Sequence, residues 1–411
     1  MERLISRYLF DPEMTAGKMI FLIGPRQAGK TTLAQNWLES SGSDLYFNFD
    51  DPWVIRESRK NPLFFKNKID ETFKGKLVPI VFDEVHKQRG WRNILKGLYD
   101  VNKKRMSLLV TGSARLDYFR KAGDSLAGRY FSYHLFPLSL AEAAGDFSFI
   151  LEDPAIITNG ARLLAAARNV KSTGMKPALE QMLELGGFPE PFTRGSRRFH
   201  LRWQKEYLTR LTREDVRDLS RVSDLKGIEH VAEMLPERVG SPLSINSIRE
   251  DIGVHFKTVE NWIEILKKIF LIFTIKPWHN RSSAALKKSQ KLYFFDWTLV
   301  PDPGSRFENL MAVALCSLKT RWTETGLGDF DIYYIRERGG AKEIDFVLTE
   351  KKKPVALFEA KIGRAEITSA GRIYAERLKV PFYQVVLDHE SPTEYPGNCF
   401  VIPAAEFLMM A

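Results

Sequence analysis

Gly24, Gly29, Lys30 and Thr31 fill the spacing G-x-x-x-x-G-K-[ST]. Glycines at those points let the backbone curl so that successive N–H groups face phosphate oxygens. The lysine then places a point charge on the outer phosphates, and the hydroxyl meets Mg²⁺. The loop Gly24, Pro25, Arg26, Gln27, Ala28, Gly29, Lys30, Thr31 and Thr32 is therefore expected to cradle a nucleoside triphosphate at a helix start. Asp83 and Glu84 end an apolar run, where Asp83 would hold Mg²⁺ and Glu84 would polarise the attacking water. Thr111 and Ser113 close another such run; either could sense a γ-phosphate, or the Thr-Gly-Ser turn could simply cap the next helix. Arg129 is a candidate phosphate contact, within its own subunit or across an oligomer interface, with a surface salt bridge as the plainer alternative.

A second constellation lies near the carboxyl end. Glu308 sits in an apolar helical run, Asp345 in the run Lys342–Leu348, and Glu359 and Lys361 two apart at the end of Val355–Lys361. On a strand, residues two apart share a face, so Glu343 and Asp345 should face away from Ile344, Phe346 and Leu348. Antiparallel pairing would bring Asp345, Glu359 and Lys361 together, with Glu308 arriving from the helix. Such carboxylates can hold one or two Mg²⁺ ions that stabilise attacking and leaving oxygens, and a lysine can orient water at a phosphodiester. The plainer reading is a scaffold whose acids pair with neighbouring basic residues.

These residues need elements to hold them. Met19–Ile23 reads as a strand buried on both faces, followed by a helix over Thr32–Leu38. Asp44–Asp50, Leu77–Asp83, Met106–Thr111 and Tyr130–Leu135 supply further strands of a parallel α/β sheet, with the acids at its carboxyl edge. Residues 138–187 read as helices over the nucleotide site. Arg194, Arg197, Arg198, Arg202, Lys205, Arg210 and Arg213 then crowd one stretch, with Trp203 and Tyr207 interleaved; Arg213, Arg217 and Arg221 continue at one-turn spacing. That stretch suits a phosphate backbone, or else an exposed charged helix or an interface between domains. Ser244 to Asp251, a turn at Gly253, a helix from Lys257 with Val259, Trp262, Ile263, Leu266 and Ile269 inward, and the apolar Phe270–Ile275 give the order of a winged helix-turn-helix.

The segments GPRQAGKTTL, IVFDEVHK, LLVTGSARL, SLAGRYFSYHLFPLSLAE and GGFPEP, in that order, resemble a family of AAA-type ATPases of bacteria and archaea whose C-terminal domain is of unknown function. The resemblance covers nearly the whole chain and implies an AAA-like α/β fold with ATP and Mg²⁺. The second constellation resembles the PD-(D/E)xK nuclease superfamily, with Ile344 where that name has Pro. The expected architecture is a P-loop AAA-like ATPase core over 1–137, a helical lid and basic linker helices over 138–225, a winged helix-turn-helix over 226–290, and a nuclease-like α/β domain over 291–411.

With 411 residues, 44% hydrophobic and 27% charged, the chain has the make-up of a soluble globular protein of about two to four domains. Its most apolar stretch, Ile269–Ile275, is too short to cross a bilayer, and charges interrupt the first residues where a secretory signal would be apolar. Cys316 and Cys399 alone, without metal-ligand spacing, fit a reducing cytoplasm. A net charge of +10 keeps DNA as a partner. The expected function is an ATPase acting on DNA, a homo-oligomer being compatible, with hydrolysis controlling engagement or Mg²⁺-dependent cleavage. The alternative is a non-nucleolytic ATP-dependent switch whose C-terminal domains hold protein partners. A nuclease needs Asp345 and Glu359 exposed in a basic cleft, whereas a switch can bury or pair them. A small-molecule kinase would leave the large C-terminal region without a task.

Overall fold

The computed structural model describes residues 1–112, 126–219, 224–278, 290–337, 340, 342–363 and 366–411, so Ser113, Ser125, Arg221 and Gly339 lie outside the described residues. The chain divides into two compact units, one of Arg3–Leu135 and one of Met1–Glu2 with Phe136–Ala411.

In the first unit, β1 (Met19–Ile23), β2 (Tyr46–Asn48), β3 (Val78–Asp83), β4 (Met106–Thr111) and β5 (Tyr130–His134) form a five-stranded sheet in the order β2-β3-β4-β1-β5. Every pairing is parallel. All five residues of β1 are buried, as a central strand covered on both faces requires. Ile20, Leu22, Val81 and Leu109 pack with Leu33, Ala34 and Leu38 of the helix Lys30–Ser40. Phe47, Phe49, Phe65 and Phe82 meet in edge and tilted contacts that fix β2 beside β3. Because the strands run the same way, the residues that follow β1, β3 and β4 emerge at one edge.

The second unit begins with helices. His200, Trp203, Tyr207 and Leu211 are buried along the helix Arg197–Arg210 and the turn after it, an inward stripe at helical spacing. Trp203 stacks on Tyr207, and both pack on Phe188. The aromatic residues expected between the arginines therefore build the core and are closed to stacked bases. His200 Nε2 lies 3.0 Å from Thr298 Oγ1. Burial pulls the His200 pKa below its ordinary value, with Asp296 and Glu184 opposing. The unfolded chain therefore takes up this proton first as pH falls below about 6.5. The stability contributed by neutral His200 is complete above that pH and is lost as pH drops. A His200→Gln chain should show a flatter fall of thermal midpoint between pH 7.5 and 5.5 than wild type; equal slopes would remove His200 as the cause.

The helices Ile245–Ile252 and Phe256–Lys268 form with Ser244 as N-cap, its Oγ accepting from Ser247 N at 3.2 Å, and with Gly253 between them at φ 75°. A left-handed residue there is the usual helix stop. The apolar ribbon that follows is β6 (Ile272–Pro277), paired antiparallel with β7 (Lys291–Phe294). It also pairs with β8 (Phe330–Arg336) through Lys276↔Tyr333 and Pro277↔Tyr334. With β9 (Glu343–Glu350), β10 (Lys353–Lys361), β11 (Phe382–Val386), β12 (Thr393–Tyr395) and β13 (Cys399–Pro403), these strands make an eight-stranded sheet in the order β12-β13-β11-β10-β9-β8-β6-β7. Residues on both sides of position 290 thus share one sheet, and the ribbon is its edge.

The helix Pro303–Glu324 lays Phe307, Leu310, Met311 and Trp322 on the face that carries Phe346, Leu348 and Phe358. The helix Ser369–Leu378 lays Ala370, Tyr374 and Ala375 on the other face, with Ile344, Val347 and Leu357. Ile344 is thus on the opposite face from Phe346 and Leu348, where simple alternation would put all three together. The cause is a bulge: pairing steps from Tyr333↔Val347 to Ile335↔Ile344, leaving one extra residue in β9 around Asp345.

Candidate functional site

At the carboxyl edge of the first sheet, Gly24 takes φ 152°, and a Cβ there would meet Leu135 O at 2.2 Å. Gly29 takes φ 98° as the residue before the helix, and Gln27, a non-glycine, is also left-handed at φ 63°. This is the curled backbone that the spacing demands. Arg3 braces it, its Nη1 donating to Ala28 O at 2.6 Å. Lys30 is buried, and its Nζ donates to Gly24 O at 2.9 Å and Pro25 O at 2.7 Å.

Thr31 Oγ1 donates to Asp83 Oδ2 at 2.8 Å. The same oxygen accepts from Tyr46 OH at 2.6 Å, and Thr111 Oγ1 donates to Asp83 Oδ1. The buried Asp83 carboxylate is thus held by three hydroxyls. Glu84 stands just beyond at φ 57°, its N–H donating to Thr111 O at 3.1 Å and its Oε2 3.5 Å from His86 Nε2. Burial pushes the Glu84 carboxyl up to about 7, with the Lys30 ammonium opposing and Asp83 adding to the rise. Thr32 follows in the exposed first turn of the helix. The residues fit a nucleoside triphosphate with Mg²⁺. The hydroxyl of Thr31 and the carboxylate of Asp83 are hard oxygen donors already in contact, and Mg²⁺ beside phosphates needs only one or two such protein ligands. Bound there, the ion would neutralise phosphate charge.

Tyr46 is the residue that sequence reading missed, because its role depends on the β2–β3 register, Tyr46↔Val81 and Asn48↔Asp83. Burial and the bond to Asp83 raise its pKa, so it stays a hydroxyl donor. Tyr46→Phe should leave Mg²⁺-free nucleotide binding unchanged and raise the Mg²⁺ needed for half-maximal turnover about tenfold, the worth of one hydrogen bond to a charged group. A Mg²⁺ titration of turnover, run beside binding in a chelator, checks this; an unshifted titration would count against it.

Arg129 is placed elsewhere. It precedes β5, whose first residue pairs with Met19, whereas the phosphate loop follows Ile23 at the other end of β1. At about 3.3 Å per residue the two are separated by the length of the strand. Its guanidinium binds Asp100, Nε to Oδ1 at 2.8 Å and Nη2 to Oδ2 at 3.3 Å. The cis reading of Arg129 does not fit this placement, since it starts a parallel strand and the loop ends one.

In the second unit two of the expected acids, Glu308 and Asp345, converge on a lysine together with Glu343, while Glu359 is held elsewhere. Lys291 is wholly buried, and its Nζ lies 2.6 Å from Glu343 Oε1, 3.2 Å from Glu308 Oε1 and 3.6 Å from Asp345 Oδ1. Burial alone would lower the pKa of that ammonium; Glu308, Asp345 and Glu343 outweigh burial and hold it above an ordinary lysine. Tyr293 OH donates to Glu308 Oε1 at 2.7 Å, and Arg336 Nη1 stands 3.4 Å from Glu343 Oε2. Asp345 Oδ2 accepts from Ala360 N at 3.1 Å. Glu359 accepts from Thr368 Oγ1 at 2.7 Å, and burial, with Asp345 adding, pushes it up to about 7. Lys361 is half-buried and forms no ion pair among the described residues. Asp345 and Glu359 are 8% and 4% exposed. Among the described residues, no group of three or more His, Cys, Asp or Glu side chains is arranged to hold a metal ion. Mg²⁺ does not fit here as the residues stand, because an ammonium already fills the point where the carboxylates meet.

Of the basic run, Arg194, Arg197, Arg198, Arg202, Lys205, Arg210, Arg213 and Arg217 are all exposed. Glu206 lies 3.2 Å from Arg202 and 4.0 Å from Arg210, and Glu229 is 2.7 Å from Arg213. Arg198, Lys205 and Arg217 have no acid at ion-pair distance among the described residues. No described helix is long and apolar enough to cross a membrane.

Residues 16–144 match the model of an AAA domain. With the curled loop, Lys30, Thr31 and Asp83 at one sheet edge, the chain carries an AAA-type P-loop ATPase domain. Residues 176–302 match a domain of unknown function. Beyond the domain, the chain is similar to uncharacterized proteins. One from Mycobacterium tuberculosis is 22% identical over 95% of this chain and 81% of its own length. One from Methanocaldococcus jannaschii is 23% identical over 100% of this chain and 88% of its own. Among solved structures, AMPPCP-bound DnaA from Aquifex aeolicus is 16% identical with a TM-score of 0.27, covering 65% of this chain and 88% of that one.

Proposed function

We propose that the chain is a Mg²⁺-dependent, ATP-hydrolysing AAA-type switch whose C-terminal region does not cleave DNA. The observation that carries this reading is the burial and internal pairing of the acids that a nuclease would expose. The arrangement of Lys30, Thr31, Asp83 and Glu84 supports hydrolysis. The exposed arginines along Arg197–Arg210 favour nucleic acid as what the switch holds, through phosphate contacts and without base stacking, since Trp203 and Tyr207 face inward. A catalytic part for Arg129 would need a second copy of the chain, and its pairing with Asp100 is equally the surface salt bridge.

The test is cleavage of labelled duplex, single-stranded and four-way-junction DNA in Mg²⁺ or Mn²⁺, with and without ATP, for wild type, Asp345→Ala and Glu84→Gln. ATP should be hydrolysed and every DNA should stay intact. Cutting that disappears in Asp345→Ala would overturn the reading in favour of an ATP-linked nuclease. DNA retention should fall steeply between about 50 and 200 mM salt; no retention at low salt would move the partner to protein.

A further inference from the structure

We infer that Lys291 is a resident cation that stands where a metal-dependent nuclease would hold its divalent ion. The inference rests on the reading that the C-terminal region does not cleave DNA, and adds the physical device responsible. Three carboxylates reach one nitrogen from two elements: Glu308 from the helix Pro303–Glu324, and Glu343 and Asp345 from β9. An ammonium has three N–H donors and no acceptor. Glu343 and Glu308 stand at hydrogen-bond distance and take one each, and Asp345 at 3.6 Å adds its charge to theirs. The bulge in β9 matters here, because it sits at Asp345 between a residue on one sheet face and a residue on the other.

The ammonium cannot step aside for a metal. Lys291 opens β7, is 0% exposed, and its Nζ lies 5.5 Å from the centre of the Tyr334 ring. Its backbone is fixed by pairing with Ile275 and by a bridge to Pro242. The remaining side of Glu308 is closed as well: a Cβ added at Gly240 would stand 3.0 Å from Glu308 Oε2, so the chain passes close over the carboxylate. A divalent ion entering this cluster would meet a fixed positive charge within 3.6 Å of Glu308, Glu343 and Asp345. The acids retain the residue types of a metal site, and the lysine has made the metal redundant.

The test is Mn²⁺ binding to the full chain in an Asp83→Asn background, without nucleotide, by calorimetry and by thermal midpoint. With Lys291 present, millimolar Mn²⁺ should leave the midpoint unmoved. A rise that Asp345→Ala abolishes would overturn the inference outright, and this arm needs no altered lysine to fold. With Lys291→Met, Mn²⁺ should bind on the order of tenfold more tightly or better, and Mn²⁺ should raise the midpoint of that variant. Lys291→Arg, which keeps the charge, should show neither gain. A folded Lys291→Met chain that gains no affinity would show that the acids are not a latent metal site, and would also overturn the inference. Both failures leave the absence of DNA cleavage standing, which is read separately.

Discussion

Glu84→Gln should bind nucleotide as wild type does and turn it over about 10²–10⁴-fold more slowly, the contribution of a positioned general base. Gln keeps the shape and the backbone N–H that donates to Thr111 O at 3.1 Å, so the left-handed turn after β3 is undisturbed. What is lost is the carboxylate. Burial has raised it to about 7, and a base whose pKa lies near the working pH is the one best suited to take a proton from water. Lys30→Ala should fail differently. Its ammonium, now held by Gly24 O and Pro25 O, is a charge placed inside the curled loop, and without it binding should weaken along with turnover. Single-turnover phosphate release, run beside equilibrium binding of a fluorescent nucleotide, separates the two. Glu84→Gln hydrolysing at the wild-type rate would remove the base assignment, and Lys30→Ala doing so would remove the loop.

The phosphate loop was legible because its chemistry is local: the glycines, lysine and hydroxyl that curl round a phosphate must sit within a few residues of one another. Asp83 was legible for a related reason, since an apolar strand ending in acids after such a loop has one edge of the sheet to occupy. Tyr46 was hidden because no local pattern links it to Asp83; only the pairing of β2 with β3 does. Arg129 was read by its nearness to a strand, while its position turns on the strand's direction: before a parallel strand, a residue lies at the edge opposite the loop. Trp203 and Tyr207 are interleaved among cations, yet with His200 and Leu211 they follow the three-to-four spacing of a buried stripe. In the C-terminal acids, sequence gave the ligand types and missed the ligand. Lys291 enters from the edge ribbon, and nothing in its neighbourhood marks one lysine in a basic chain as buried.

That buried lysine should also be the most costly single side chain to remove in its unit. Lys291→Ala is expected to destabilise the second unit by about 3–5 kcal/mol at neutral pH, the range for breaking a buried ion pair from one side. The cost arises from what stays behind: Glu308, Glu343 and Asp345 would face one another without a cation, with only Arg336 3.4 Å from one Glu343 oxygen. Glu308 already has its pKa raised by burial and by Asp345, with Lys291 among the groups that oppose the rise. Without the lysine Glu308 would bind a proton in the folded state at a pH where the unfolded chain has released it. By linkage the variant's stability then falls as pH rises through the carboxylate range and above, so its deficit should be largest near pH 7.5 and shrink toward pH 5. Urea unfolding at both pH values, followed by the emission of the buried Trp297 and Trp322, measures the deficit. A loss under about 0.5 kcal/mol, or one that grows on acidification, would mean that the acids do not depend on Lys291, and the cluster would have to be held by its hydroxyl and backbone donors instead.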